Sequence, residues 1–523
     1  MRVRGWLAGL LFATAAAPAV AAEPDDPLQM TTDPADRAVM AEAASAVAGN
    51  PPDLARLDAV LAKLPRPTPL RGMVQTTRAA VFASKERVGE AVAAVEEAMR
   101  LLPDDPRPKL VAAHILTFTG SPQRAADLWM QASRESPERA RLSQRYVMFA
   151  LTGRLLDLGD RERAERINAR LGEIGFATSL APERSSAALA QTYGEMRSKR
   201  DDVALQSITA IGDPDDLLTL YVDRRYQALW PRIAEWATPT LDGQSRRYLE
   251  ELRADWSAAD DFDTATSYAR RLASLGAYPA VVSLFLPMFD RIVPGEYREG
   301  TEFLAPVVAR SLVRVGRSAD ARALLDRVAT AMPTNEGGSD LNILAARMML
   351  DANQLTWAAT LSQADAFLAR AKQLGPSINS SATLQVRAMR ACALAELGRA
   401  GEAQDDTAAA LIAEAMMPGP AMQIHLCHRD VAEGRALVIR RLADERTRDW
   451  AMRFVQPTKP DASTPFEKLT EPVALAIRSA ADVRAAAEKV GRILPQPVLT
   501  TLPDGFDPFR SRPTPRPLDA NAI

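Results

Sequence analysis

Two cysteines and three histidines in 523 residues leave this chain little material for a metal centre or a disulfide framework. Cys427 lies between His425 and His428, which share a helix face, but it points about 100–160° away from each of them. That geometry argues against zinc, and no C-x-x-C-H haem-attachment run is present. Motifs that place a nucleophile or a phosphate are also missing: there is no G-x-S-x-G elbow, no G-x-x-x-x-G-K-[ST] loop and no G-x-G-x-x-G fingerprint. Runs of strand-like alternation that would build an α/β active site are lacking. Carboxylates are plentiful, so composition leaves open a pair suited to glycoside cleavage, but no pair is singled out. Neither charge sign dominates, with 64 basic against 66 acidic residues, which favours neither nucleic acid nor an anionic membrane as partner. No cofactor is expected.

Long apolar runs are absent as well, apart from one at the start. Arg2 and Arg4 precede the uncharged stretch Trp6 to Ala17, small residues follow at Ala19 to Ala22, and acidic residues begin at Glu23. That order reads as a secretory signal peptide over residues 1–22, cleaved near Ala21 or Ala22, because the run is well short of the ~20 residues that span a bilayer. The mature chain is expected to be periplasmic or secreted, soluble and not membrane-spanning. Glycine is scarce (26) and proline is not (37), in an Ala/Leu/Arg-rich chain. Many helices punctuated by proline at their ends account for this composition.

An internal period supports the helical reading. Val88 to Pro103 and Pro122 to Pro137 superpose so that Ala91 falls on Ala125, Val95 on Trp129, Ala98 on Ala132 and Pro103 on Pro137, each pair 34 residues apart. A small residue lets two antiparallel helices approach, a bulky one fills the space to the next pair, and proline stops the second helix. The pattern returns at Ala321, Leu325, Val328 and Pro333 after Val315-Gly316-Arg317. It returns again at Ala403, Thr407 and Ala410 after Leu397-Gly398-Arg399, and more faintly at Gly276, Ala280 and Leu284. These residues resemble the tetratricopeptide repeat (TPR) family. The resemblance implies an all-α solenoid of antiparallel helix pairs wound into a right-handed superhelix, irregular in the middle.

The expected organisation is a disordered leader over 23–36, an N-terminal TPR-like array over 37–180, and an aromatic-rich irregular helical region over 181–300. A C-terminal array then covers 301–494, its last helix spanning 474–493, and a proline-rich tail of disordered or extended chain covers 495–523. Asn335 to Ser339 is read as a loop and possible hinge position. Seven of the eight tyrosines lie between Tyr193 and Tyr297, with Trp230, Trp236 and Trp256. They serve either as core filling or as a recognition surface, core being preferred. Counted in the repeat frame, Cys392 and Cys427 occupy nearly equivalent places on adjacent first helices, so a disulfide is preferred over two free thiols or a metal. It suits an oxidising compartment.

In the TPR family first helices line a concave groove. The resemblance puts Met73, Thr76 and Ala80 on that face, followed by Arg107, Leu110, His114 and Thr117, and then by Arg141, Gln144, Arg145 and Met148. Arg141 and Arg145 fall on basic positions that clamp a peptide carboxylate in some family members, but Thr76, Ala80 and His114 depart from the rest of the clamp. The expected function is a non-enzymatic scaffold or adaptor for a partner protein or peptide in the cell envelope, within an assembly or export complex. The alternatives are an envelope enzyme with a carboxylate site on a helical superhelix, and a glycan binder using Tyr226, Trp230, Trp236 and Trp256.

Overall fold

The computed structural model describes residues 33–47, 52–84, 87–176, 180–290, 292, 298, 300–332, 338–374, 380–458, 464–499 and 501–510. The signal segment with its cleavage point, most of the leader, residues 335–337 of the expected hinge loop and the tail from residue 511 onward lie outside the described residues. So does the side chain of Arg145. The regular structure described is helical, with one isolated bridge between Asp223 and Gly491. The chain divides between residues 178 and 179 into two compact units.

The first unit contains α1 (Pro34–Val47), α2 (Leu54–Ala62), α3 (Pro69–Ser84), α4 (Val88–Leu101), α5 (Pro106–Phe118), α6 (Pro122–Glu135), the single turn α7 (Pro137–Ala140), α8 (Arg145–Asp157) and α9 (Arg161–Glu173). Proline opens five of these nine, at the first helical position where its missing N–H costs nothing. Asp53, Asp105 and Asp160 cap α2, α5 and α9 by accepting backbone N–H bonds. α1, α3, α5 and α8 pack in succession, and α4 and α6 each pack on the first helix before them. The periodic residues explain the stacking: Ala91, Val95, Ala98, Ala125, Trp129 and Ala132 are all buried. Trp129 is fully enclosed, and its indole N–H donates to Ser143 Oγ at 2.9 Å. Burying ~200 Å² of indole surface contributes about 5 kcal/mol before the entropy of ordering it.

The second unit opens with α10 (Ala181–Arg197), α11 (Asp201–Ser207), α12 (Pro214–Val222) and α13 (Trp230–Ala237), with 3₁₀ turns between them. α14 (Asp242–Ala259), α15 (Phe262–Ser274), α16 (Tyr278–Phe285), α17 (Thr301–Arg314), α18 (Ser318–Ala331), α19 (Asp340–Asn353), α20 (Trp357–Leu374) and α21 (Ser380–Glu396) follow. It ends with α22 (Gln404–Ala413), α23 (Pro418–Cys427), α24 (Val431–Ala443), α25 (Arg448–Phe454), α26 (Pro465–Ser479) and α27 (Ala481–Val490). Ala321, Leu325, Val328, Ala403 and Ala410 are buried at the repeat positions. Gly316 and Gly398 have φ of 80° and 76° and let the chain reverse after α17 and α21. The next N–H, of Arg317 or Arg399, then bonds back to Leu312 or Leu394 at 2.8 Å.

Three expectations change. The leader is shorter than read, since α1 begins at Pro34. The last helix is two, broken at Ala480 by extended backbone (φ −62°, ψ 136°), which turns α27 back onto α24. Most consequentially, the aromatic region and the C-terminal array are one body, and the tail takes part in it. Leu217, Tyr221, Tyr226 and Leu229 share a core with Leu437, Met452, Ile477 and Val498. Leu241 N–H donates to Val498 O at 3.0 Å, and Phe506 is buried against the cluster around Trp256 and Phe285. Apolar side chains at Leu494, Val498 and Phe506 have more to gain from that core than a polar tail would, which is why the chain stays folded past Pro495.

Candidate functional site

The residues read as a groove do not line an open one. In α5, every residue from Pro108 to Thr117 is buried. Leu110 packs with Trp129, Met148 and Leu151 in the first unit's core. His114 is buried too, its imidazole pushed down to about 4 by desolvation and its Nε2 without a hydrogen-bond partner. Thr76 and Ala80 are likewise buried. Arg107 folds back on its own helix cap, with Nη2 2.6 Å from Asp105 Oδ2. Arg141 precedes α8 instead of lying on it, and its Nε donates to the Ile174 carbonyl, while Gln144 is the half-buried residue at the start of α8. The sequence frame missed the extra turn α7 and the loop after it, which shift Arg141 and Gln144 off the helix face.

The first unit does present an unexpected surface. Phe149 (53% exposed) and Leu156 (45%) stand seven residues apart on the outer side of α8, with Gly153 exposed between them and Leu142 and Leu158 exposed at either end. Residues spaced i, i+4 and i+7 share one face of a helix, so Phe149, Gly153 and Leu156 lie on one side of α8.

The aromatic segment of the second unit is core. Tyr226 and Trp256 are buried, and Trp230 and Trp236 pack half-buried against the cluster that holds Tyr226. Trp256 meets Phe285 with ring centroids 4.8 Å apart, and Tyr193 meets Tyr226 at 5.3 Å. A glycan platform needs open ring faces, so the glycan reading of these four residues is set aside. Their neighbour Arg492 shows what the segment does instead. Its guanidinium lies 3.5 Å from the Tyr221 ring centroid and 4.1 Å from that of Trp230, and its Nε donates to Tyr221 O at 2.7 Å. The adjacent Gly491 has no room for a side chain, because a Cβ there would stand 2.1 Å from Val222 O.

Beside this closure lies a half-open cavity of about 510 Å³, lined in part by Asp215, Leu218, Tyr278, Arg453, Gln456 and Val498. Asp213-Pro214-Asp215-Asp216 brings three carboxyls to its wall and the layer behind it, the arrangement that the enzyme alternative called for. Both oxygens of Asp215 are taken, Oδ2 by Arg271 Nη1 at 2.7 Å and Oδ1 by Arg453 Nη2 at 3.0 Å. Asp213 caps α12 through the Asp215 N–H at 2.9 Å, and burial raises its carboxyl above the usual range. Burial pushes Asp216 up to about 7, where it accepts the Ser185 hydroxyl at 2.9 Å. Asp215 would have to break its ion pairs to Arg271 and Arg453 before attacking or deprotonating anything in the cavity, so the cluster reads as a clasp between α12, α15 and α25. The Asp-Pro-Asp-Asp run was its only sequence signal, since Arg271 and Arg453 arrive from far along the chain.

Cys392 and Cys427 form a disulfide, with Cα atoms 5.6 Å apart, joining α21 to α23. His425 is buried on α23 and His428 is exposed at its end. No helix among the described residues is long and apolar enough to cross a membrane.

No protein-family model matches the sequence, and none of the curated proteins matches it. Among solved structures, the chain is similar to one in "Structure of Naa15/Naa10 bound to HypK-THB", with 14% identity and a TM-score of 0.25 over 76% of this chain and 61% of that one. It is also similar to the TPR domain of P58(IPK), with 14% identity and a TM-score of 0.18 over 78% of this chain and 100% of that one. The chain thus spans less than two thirds of the length of the first of these.

Proposed function

We propose that this protein is a non-enzymatic scaffold of the cell envelope that holds a partner protein against its helical repeats. The observation that carries this reading is the apolar stripe of α8, where Phe149, Leu156 and their neighbours face solvent on an array whose repeat residues are otherwise turned inward. Large apolar side chains left outside a packed helix pair are a standing cost in water that a partner's apolar segment relieves. The disulfide between Cys392 and Cys427 supports an exported protein, because such bonds persist in oxidising compartments. The engaged state of Asp213, Asp215 and Asp216 supports a holding role over a chemical one.

The test is crosslinking of the mature protein in its native envelope, followed by affinity purification and mass spectrometry. A reproducible partner, crosslinked through residues flanking α8 and lost in Phe149→Asp/Leu156→Asp but kept in Arg107→Glu, supports the proposal. Failure to recover a consistent partner, or a partner indifferent to the α8 substitutions, overturns it.

A further inference from the structure

In the second unit, residues 501–510 lie across α14 as a strap. Of these residues only Pro503 and Phe506 are buried. Phe506 N–H donates to Pro503 O at 3.0 Å, closing a turn in which Gly505 has a φ of 69°. Phe506 then enters the core cluster that holds Trp256, Tyr268 and Phe285, and Leu502 packs half-buried against the same cluster. The polar contacts come from two arginines seven residues apart on one face of α14. Arg246 donates through Nη2 to Asp504 O and through Nη1 to Gly505 O at 3.5 Å, and Arg253 Nη1 donates to Asp507 O at 3.1 Å. The Arg253 guanidinium is also paired with Glu250 and lies 5.4 Å from the Phe506 ring centroid. All three acceptors on the strap are backbone carbonyls, so α14 holds its main chain and one aromatic ring.

Two groups under the strap are left without the partners they want. Arg246 makes no ion pair among the described residues, its charge meeting only those two carbonyls. Tyr268 is fully enclosed, and its hydroxyl has no hydrogen-bond partner among the described residues, with Arg253 and Asp507 the charged groups that act on it. Each ordered residue of the strap costs conformational entropy, while only two of them bury their side chains, so the strap sits at the low end of the unit's local stability. The chain just before it is held differently, with Arg492 stacked on Tyr221 and Trp230 and Val498 bonded to Leu241. We propose that 501–510 is a displaceable internal ligand, and that its seat on α14 receives a segment of a partner protein with the same chemistry, a tight acidic turn followed by an aromatic residue. The strap's tether at Val498 fixes where its turn falls, whereas a free segment shifts until one of its carboxylates meets Arg246. This seat belongs to the second unit and does not depend on α8.

The probe is a fluorescein-labelled peptide of residues 501–510, added to the full chain and followed by anisotropy. The wild type, with its seat filled, is expected to bind it at least ten-fold more weakly than Phe506→Asp, whose strap is released. Adding Arg246→Glu, an exposed position, should weaken binding to Phe506→Asp at least ten-fold. A peptide carrying Asp504→Asn and Asp507→Asn should bind several-fold more weakly at low salt, where exposed charges are least screened. Hydrogen exchange on the wild type needs no substitution: the Phe506 amide should exchange at least a hundred-fold faster than that of Arg492, which is bonded to Val222 O at 2.9 Å. Equal protection of the two overturns the proposal, as does a folded Phe506→Asp chain that ignores the peptide, or equal binding by it and the wild type. A Phe506→Asp chain without a cooperative circular dichroism melt also overturns it, since the strap would then be an indispensable part of the core. Peptides that bind alike with Asp and with Asn overturn the acidic preference. A wild-type dimer in sedimentation velocity that Phe506→Asp dissolves overturns the internal seating, because the strap would then be exchanged between two copies.

Discussion

At the scale of single residues, burial decides which titratable groups matter. Asp216 has its folded value raised to about 7 from 3.8, with burial the largest cause. A carboxyl raised on folding costs nothing below the unfolded value, where it is protonated in both states. The cost grows as pH rises and is complete above the folded value. Asp216→Asn keeps an acceptor for Ser185 and removes the charge. Its melting temperature should therefore exceed that of the wild type by an amount that widens from pH 5 to pH 8.5, reaching about 2–4 kcal/mol of stability. A difference that stays flat across that range would refute the assignment. His114 works in the other direction: held near 4, it begins to destabilise the fold as pH falls below 6.5, but it has no partner whose removal would separate that effect from packing.

At the scale of elements, the informative contacts are those where the chain returns on itself. The strand-like contact of Gly491 with Asp223 depends on the absence of a side chain, because a Cβ would meet Val222 O and the Met452 side chain. Gly491→Ala should cost roughly 3 kcal/mol and shift Trp230 fluorescence toward that of exposed indole, since Arg492 next to it would leave the ring stack. Gly153→Ala is the matched control. A Cβ on that exposed face of α8 meets nothing within 4 Å, so it should be neutral or stabilise by up to about 1 kcal/mol. Equal effects of the two in chemical denaturation would show that the closure is not packed as described. The disulfide between α21 and α23 belongs to this scale as well. Cys392→Ala/Cys427→Ala should lower the stability of the second unit by about 3–4 kcal/mol, the entropy of a loop with a sequence separation of 35 residues. A denaturant midpoint equal to that of the wild type would contradict this.

At the scale of the whole molecule, exposed apolar side chains stand on α8 in one unit and on α22 in the other. Phe149 and Leu156 on α8 are the surface that we assign to a partner protein. Around α22 the charges are paired within the unit, Arg446 with Asp444 and Arg440 with Glu414.

The helical class, the 34-residue register and the pairing of Cys392 with Cys427 were legible in the sequence alone, because each depends on local spacing: small and large residues at fixed positions along a helix, and a disulfide one repeat long. The groove residues were not, since an extra turn at Pro137–Ala140 and the loop after it break the frame just where Arg141 and Gln144 were placed. Nor were the contacts that shape the second unit. Arg492 between Tyr221 and Trp230, Asp215 between Arg271 and Arg453, and Phe506 against the aromatic core each join residues far apart along the chain. Periodicity reports which face of a helix is buried, but the tertiary fold decides what buries it, and on α8 it leaves Phe149 and Leu156 exposed.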